Sequence, residues 1–214
     1  MSTSPQTEAV WNAVASEREA LAGMLEQFDD NDWNHDTLCA GWRVRDVVAH
    51  LIQATHATLP WILRNVVRAR GNLGKGAHET AIRYADSTPS RTLLTQLRAC
   101  ADSRFTPIGT TPEDRLMDLL VHIQDIALPL GLDREMPVEA ARTSVDRVWT
   151  MGAPFHARKH FGDYRLIATD SEWTAGTGAV IEGTTADLLL LLTGRTATRY
   201  RLRGPGADIL PATR

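Results

Sequence analysis

The chain is poor in cysteine, has no long apolar run and carries no excess of positive charge, and each shortage removes a class of protein. Two cysteines, Cys39 and Cys100, are too few for a disulfide framework and fit a reducing compartment. The most apolar run, Leu188 to Leu192, is far too short to span a bilayer. The polar segment Met1 to Thr7 lacks the basic-then-apolar pattern of a signal peptide, so the cytoplasm is the expected compartment. Formal net charge is -3 with both signs mixed along the chain, which argues against nucleic acid as partner and leaves a small anionic ligand open. The glycine-rich stretch Gly71 to Gly76 reads as a loop with no strand before it, and no Gly-x-Ser-x-Gly elbow occurs, so nucleotide and serine-hydrolase chemistry are not expected.

What is present is enough to build a core. Of 214 residues, 43% are hydrophobic and 23% charged, which allows one large domain or a medium one with a small partner. Helical spacing predicts a first helix over Pro5 to Phe28, with Val10, Val14, Leu21, Leu25 and Phe28 on one face, ended by an acidic turn at Asp29 to Asp32. A loop carrying Leu38 to Trp42 follows. Val44, Val47, Val48, Leu51 and Ile52 predict a second helix, continuing past a kink at Pro60 to about Arg70. Thr88-Pro89 and Thr111-Pro112-Glu113-Asp114 read as the starts of a third and a fourth helix, the latter stopped by Pro129 and Gly131. After about residue 135 the pattern changes. A helix over Thr143 to His156, strands at Tyr164 to Thr169, Ala179 to Glu182 and Thr198 to Arg203, and a helix over Thr184 to Gly194 make a small α/β module. The expected class is α+β, with a four-helix bundle over 1–135 and the α/β module over 136–214.

The fourth helix carries the strongest chemical signal. At about 100° per residue, Asp118, His122 and Asp125 form one narrow row among Leu116, Met117, Leu119, Leu120, Val121, Ile123 and Ile126. A helix apolar on most sides is buried, and a buried carboxylate needs compensation. A carboxylate and an imidazole one turn apart can share a divalent metal, or can form a hydrogen-bonded pair without one. His50 lies off the aliphatic stripe of the second helix, beside Ala54, Ala57 and Trp61, with room for another helix to approach. His50, Asp118 and His122 together make a workable facial triad with open coordination positions.

The stretch Leu38-Cys39-Ala40-Gly41-Trp42-Arg43-Val44-Arg45-Asp46-Val47-Val48-Ala49-His50-Leu51 resembles the signature of the mycothiol-dependent maleylpyruvate isomerase family, within the wider DinB/YfiT-like bundles. So do His122-Ile123-Gln124-Asp125 and Ala186 to Arg195. The resemblance implies a DinB-like bundle holding a zinc-type ion and a C-terminal domain resembling sterol-carrier modules. It implies mycothiol as thiol co-substrate and an actinobacterial source. The family's histidine ligands match His50 and His122; its remaining ligand, usually Glu, falls on Asp118, one methylene shorter. Three activities follow as alternatives: a mycothiol-dependent isomerase or S-transferase, a carrier or interaction protein with a degenerate site, and a metal-dependent hydrolase.

Other residues divide between functional and structural readings. Arg195 either orients an anionic substrate, as an arginine of the family's second domain is thought to do, or caps the leucine-rich helix. Asp125 either orients a ligand histidine or forms a salt bridge. Cys39 reads as packing of the turn in preference to a fourth ligand, Cys100 as core, and Trp11 and Trp42 as packing. His156 and His160 have chelating spacing, but Arg158 and Lys159 between them make a solvated basic patch the better reading. His56 faces away from His50, and His35 and His78 read as loop residues. No surface patch demands an oligomer, so monomer and homodimer are both compatible.

Overall fold

The structure is a computed structural model that describes residues 4–68 and 70–211. Met1 to Thr3, part of the segment read above for a signal peptide, lie outside them. The chain is α+β and divides into two compact units, Met1–Arg115 with His122–Asp133, and Leu116–Val121 with Arg134–Arg214. No helix among the described residues is long and apolar enough to cross a membrane.

The first unit is helical. Helix α1 (Pro5–Leu25) buries Val10, Val14, Leu21 and Leu25, the stripe that the spacing picks out. The acidic turn after it does more than end the helix: Asp29 and Asp32 form a capping box that starts a four-residue helix, α2 (Asp30–Trp33). The expected second helix is two. Helix α3 (Val44–Gln53) ends where the Thr55 hydroxyl donates to the Ile52 carbonyl at 2.7 Å, and α4 (Leu59–Arg68) begins after Thr58. Pro60 then sits in the first turn of a new helix, where its missing N–H costs nothing.

The glycine-rich segment is also not the loop expected. Asn72 accepts from the Lys75 N–H at 2.9 Å and starts α5 (Leu73–Ser87), which carries Gly74 and Gly76 inside its first turns. Helix α6 (Ser90–Ala99) follows, capped at Pro89, while Thr88 closes α5 and Cys100 caps α6 from outside. Helices α5 and α6 pack on α3, and α6 on α1. Arg18 is 5% exposed and ties α1 to the end of α6, its guanidinium donating to the carbonyls of Cys100, Ala101 and Ser103 at 3.1, 3.0 and 2.8 Å. These carbonyls belong to the C-cap and the turn after it, so the buried cation holds the exit of α6 in place. Helix α7 (Pro112–Ala127) starts as its sequence predicts. Asp114 accepts from the Thr111 N–H at 2.8 Å, and Thr111 accepts in return from the Asp114 N–H.

In the second unit, α8 (Val138–Thr150) starts five residues earlier than expected, and α9 (Ala157–Phe161) is a single turn and a half. Strands β1 (Tyr164–Ala168), β2 (Thr174–Ala175) and β3 (Ala179–Gly183) form a sheet in the order β2-β1-β3, antiparallel then parallel. Helix α10 (Thr185–Leu192) buries all five of its leucines, packing on α8 and touching the sheet. Its end is a Schellman motif: Gly194 at φ +84° donates to Leu191, and Arg195 N–H donates to Leu190 at 2.8 Å. The expected strand over Thr198 to Arg203 is instead a 3-10 turn at Arg199–Arg201, with one residue pair, Arg203 and Glu182, bridged to β3. Leu202 is the single buried apolar side chain there, too little to hold a strand face in place. Helix α11 (Pro205–Asp208) packs on β3 so closely that a side chain at Gly206 would meet the Ala179 carbonyl at 2.7 Å.

Candidate metal centre

The segment between α2 and α3 is a tight loop that brings two side chains of the sequence motif to defined places. Thr37 N–H donates to the Trp42 carbonyl at 3.0 Å, Trp42 N–H donates to Cys39 at 2.9 Å, and Val44 N–H donates to His35 at 3.0 Å. Gly41 makes the turn at φ +76°, a conformation costly for a residue with a Cβ. Leu38 N–H donates to the Asp125 carbonyl at 3.1 Å and pins the loop to α7. At the loop's end, Asp46 accepts from both the backbone and the guanidinium of Arg43 at 2.8 and 2.9 Å. Asp46, with Asp86 beyond it, holds the Arg43 guanidinium above its ordinary pKa. This lock fixes the first turn of α3, and His50 follows two turns later on the same rigid helix.

On α7, Asp125 is fully buried and His122 is 8% exposed. The Asp125 carboxylate lies 2.9 Å from His122 Nδ1, and the Cys39 thiol donates to the same carboxylate oxygen at 3.0 Å. Cys39 Sγ is also 3.6 Å from His122 Nδ1. Both neighbours therefore sit at one ring nitrogen. A Cys-His-Asp catalytic triad needs the thiol and the carboxylate on opposite nitrogens, so this is not that arrangement. It is the arrangement in which a carboxylate fixes the tautomer of an imidazole and directs Nε2 elsewhere.

The donor atoms of His50, Asp118 and His122 lie within 4.8 Å of one another. Asp118 is one turn before His122 on the unbroken α7, and His50 comes from α3. The His50 and His122 rings meet edge to face at 5.0 Å. His50 and Asp118 are half-buried where His122 is buried. Cys39, His122 and Asp125 form a second close group of the same span. Two imidazoles and a carboxylate, one imidazole already oriented from behind, form a donor set that fits a divalent cation of the zinc type.

Two neighbours of this cluster are not legible as such in the sequence. Trp42 packs as expected, at 7% exposed, but its ring lies 5.2 Å from His50 and 5.9 Å from His122. His78 belongs to α5, not to a loop, and stacks on Trp42 at 5.4 Å with the planes 8° apart. The signal for Trp42 was its place in the loop motif; His78 had none, because the helix that carries it was not expected. Cys39 is more than turn packing, since its thiol hydrogen bonds to the carboxylate behind His122. Arg195 donates to the Thr193 carbonyl at 2.8 Å and so caps the end of α10. His156 and His160 face each other at 6.5 Å, with no acidic ligand grouped with them among the described residues.

Residues 14–115 match the mycothiol maleylpyruvate isomerase N-terminal domain family. No curated protein sequence matches the chain. Two crystal structures are similar over 100% of this chain and 99% of theirs: the mycothiol-dependent maleylpyruvate isomerase, at TM-score 0.68 and 16% identity, and a histidine-to-alanine mutant of that enzyme, at 0.67 and 15%. At that identity the similarity establishes the fold. The chain thus has the fold of mycothiol-dependent maleylpyruvate isomerase throughout, and its residues 14–115 are similar to the mycothiol maleylpyruvate isomerase N-terminal domain.

Proposed function

We propose that this protein is a metal-dependent enzyme that uses a low-molecular-weight thiol, mycothiol, on a small electrophilic substrate, as an isomerase or an S-transferase. The observation that carries the reading is the convergence of His50, Asp118 and His122 donors, with Asp125 buried behind His122. A divalent ion such as zinc, when bound there, supplies a Lewis acid that favours the thiolate over the thiol. His122 would hold it through Nε2, because Nδ1 faces Asp125. Asp118 would supply the negative charge to the donor set. His50 completes the set from α3.

The remaining chemistry belongs to thiol and substrate. Sulfur adds to one carbon of a conjugated double bond, which becomes a single bond and turns; expulsion of sulfur restores the double bond in the other geometry. An isomerase returns the thiol, whereas a transferase keeps the new carbon–sulfur bond in its product. We assign Arg195, beyond the bond its guanidinium gives to the Thr193 carbonyl, to orienting an anionic substrate, with replacement by Ala expected to raise KM more than it lowers kcat. The purified, metal-loaded protein should convert a conjugated cis-dicarboxylate or another activated electrophile only when mycothiol is present. Thiol counted before and after turnover separates isomerase from transferase. Turnover at full rate without thiol would replace this reading with a metal-dependent hydrolase, and no turnover across a broad electrophile panel would end the enzyme reading.

A further inference from the structure

The basic turn α9 and the segment after α10 take no part in the metal cluster, yet in the C-terminal unit they enclose a pocket of about 590 Å³. That is the size range of small-molecule sites. Its walls are Phe155, Phe161, Leu191, Leu192 and Leu210, and it opens onto two leucines of the α10 core. Two basic side chains, His160 from α9 and Arg199 from the 3-10 turn, line it, and among the described residues no Asp or Glu does. Arg199 is held in place: its guanidinium donates to the Leu210 carbonyl at 2.8 Å and to the Pro211 carbonyl. Those bonds fix both the cation and the chain segment that forms one wall.

The negative end of α10 also reaches this pocket, at Thr193 and Gly194, and a bare helix end would disfavour an anion. It is not bare. Gly194 and Arg195 N–H groups take the Leu191 and Leu190 carbonyls, and the Arg195 guanidinium takes that of Thr193. Exposed Arg158 and Lys159 add positive charge on α9 beside His160. Apolar walls with cations among them suit one kind of ligand.

We propose that this pocket binds an organic anion with an apolar body, its acid group against Arg199 and His160. The site is separate from the metal-binding residues and does not depend on the activity proposed for them.

The test is a fluorescence titration of the full-length protein with 11-(dansylamino)undecanoate, followed by displacement with dodecanoate and with dodecanol. Dodecanoate should displace the probe at least about tenfold better than dodecanol, the worth of one charge-assisted hydrogen bond. His160→Gln should weaken dodecanoate severalfold and leave dodecanol unchanged, and Arg199→Met, which also releases the Leu210–Pro211 wall, should weaken dodecanoate severalfold more than dodecanol. Thr196→Trp, at an exposed position on the pocket wall, should block both without disturbing the fold, as circular dichroism would verify. Absence of probe binding to the wild type, equal displacement by acid and alcohol, or undiminished binding to Thr196→Trp would each overturn the proposal.

Discussion

Asp125→Asn tests the arrangement behind His122 with the smallest change of shape. Asp125 is fully buried, and its carboxylate serves the His122 ring at 2.9 Å and the Cys39 thiol at 3.0 Å. An amide of the same size can keep the one oxygen that serves both groups, but it loses the charge that makes the imidazole a better ligand. Carboxylates behind metal-bound histidines are typically worth about 10–100-fold in affinity, or roughly 1.4–2.8 kcal/mol. Competition for zinc against a chromophoric chelator, at one pH and ionic strength, reads this directly. The variant should bind zinc about 10–100-fold more weakly with stoichiometry unchanged. Asp125→Ala should in addition lower folding stability by about 1–3 kcal/mol, because it strands the buried His122 ring nitrogen. Zinc affinity within twofold of wild type in Asp125→Asn would refute the idea that this carboxylate tunes the ligand.

Two further predictions concern the frame that holds the site. Arg18→Met keeps much of the buried stem but removes the donors to three carbonyls at the end of α6; it should lower stability by about 2–4 kcal/mol, measured by urea unfolding. Cys100 has its thiol pKa raised chiefly by burial, so its reactive thiolate is scarce in the folded protein. Alkylation by iodoacetamide at neutral pH, followed by peptide mass mapping, should leave Cys100 unmodified, with labelling rising only above the ordinary thiol range or after unfolding.

How far the sequence could be read depended on whether local chemistry settled the outcome. Helices α7 and α10 announce their starts through Thr111 with Asp114 and Thr184 with Asp187, and both begin there. The row Asp118, His122 and Asp125 was visible from helical periodicity, and so was its mismatch with an apolar helix. Where packing decided, the sequence misled. Gly74 and Gly76 read as loop residues, but α5 packs along α3 and α4, and tertiary contact outweighs the cost of two glycines. The missed helix hid His78. The Ala54 to Thr58 break was masked by an apolar pattern that continues on both sides of it. The segment Thr198 to Arg203 has strand-like alternation but buries one apolar side chain, so it closes into a 3-10 turn. Cys39 beside Asp125 joins residues 86 positions apart, a proximity that no local pattern encodes.

Metal stoichiometry tests the central claim most directly. Elemental analysis of the wild-type protein and of His122→Ala, both purified without added metal, compares the intact donor set with one lacking its buried histidine. About one equivalent of zinc or a similar divalent ion in the wild type, lost in the variant while its circular dichroism is retained, is the predicted result. No stoichiometric metal in the wild type, even after reconstitution, would contradict the account and leave the polar row of α7 as a structural hydrogen-bond network.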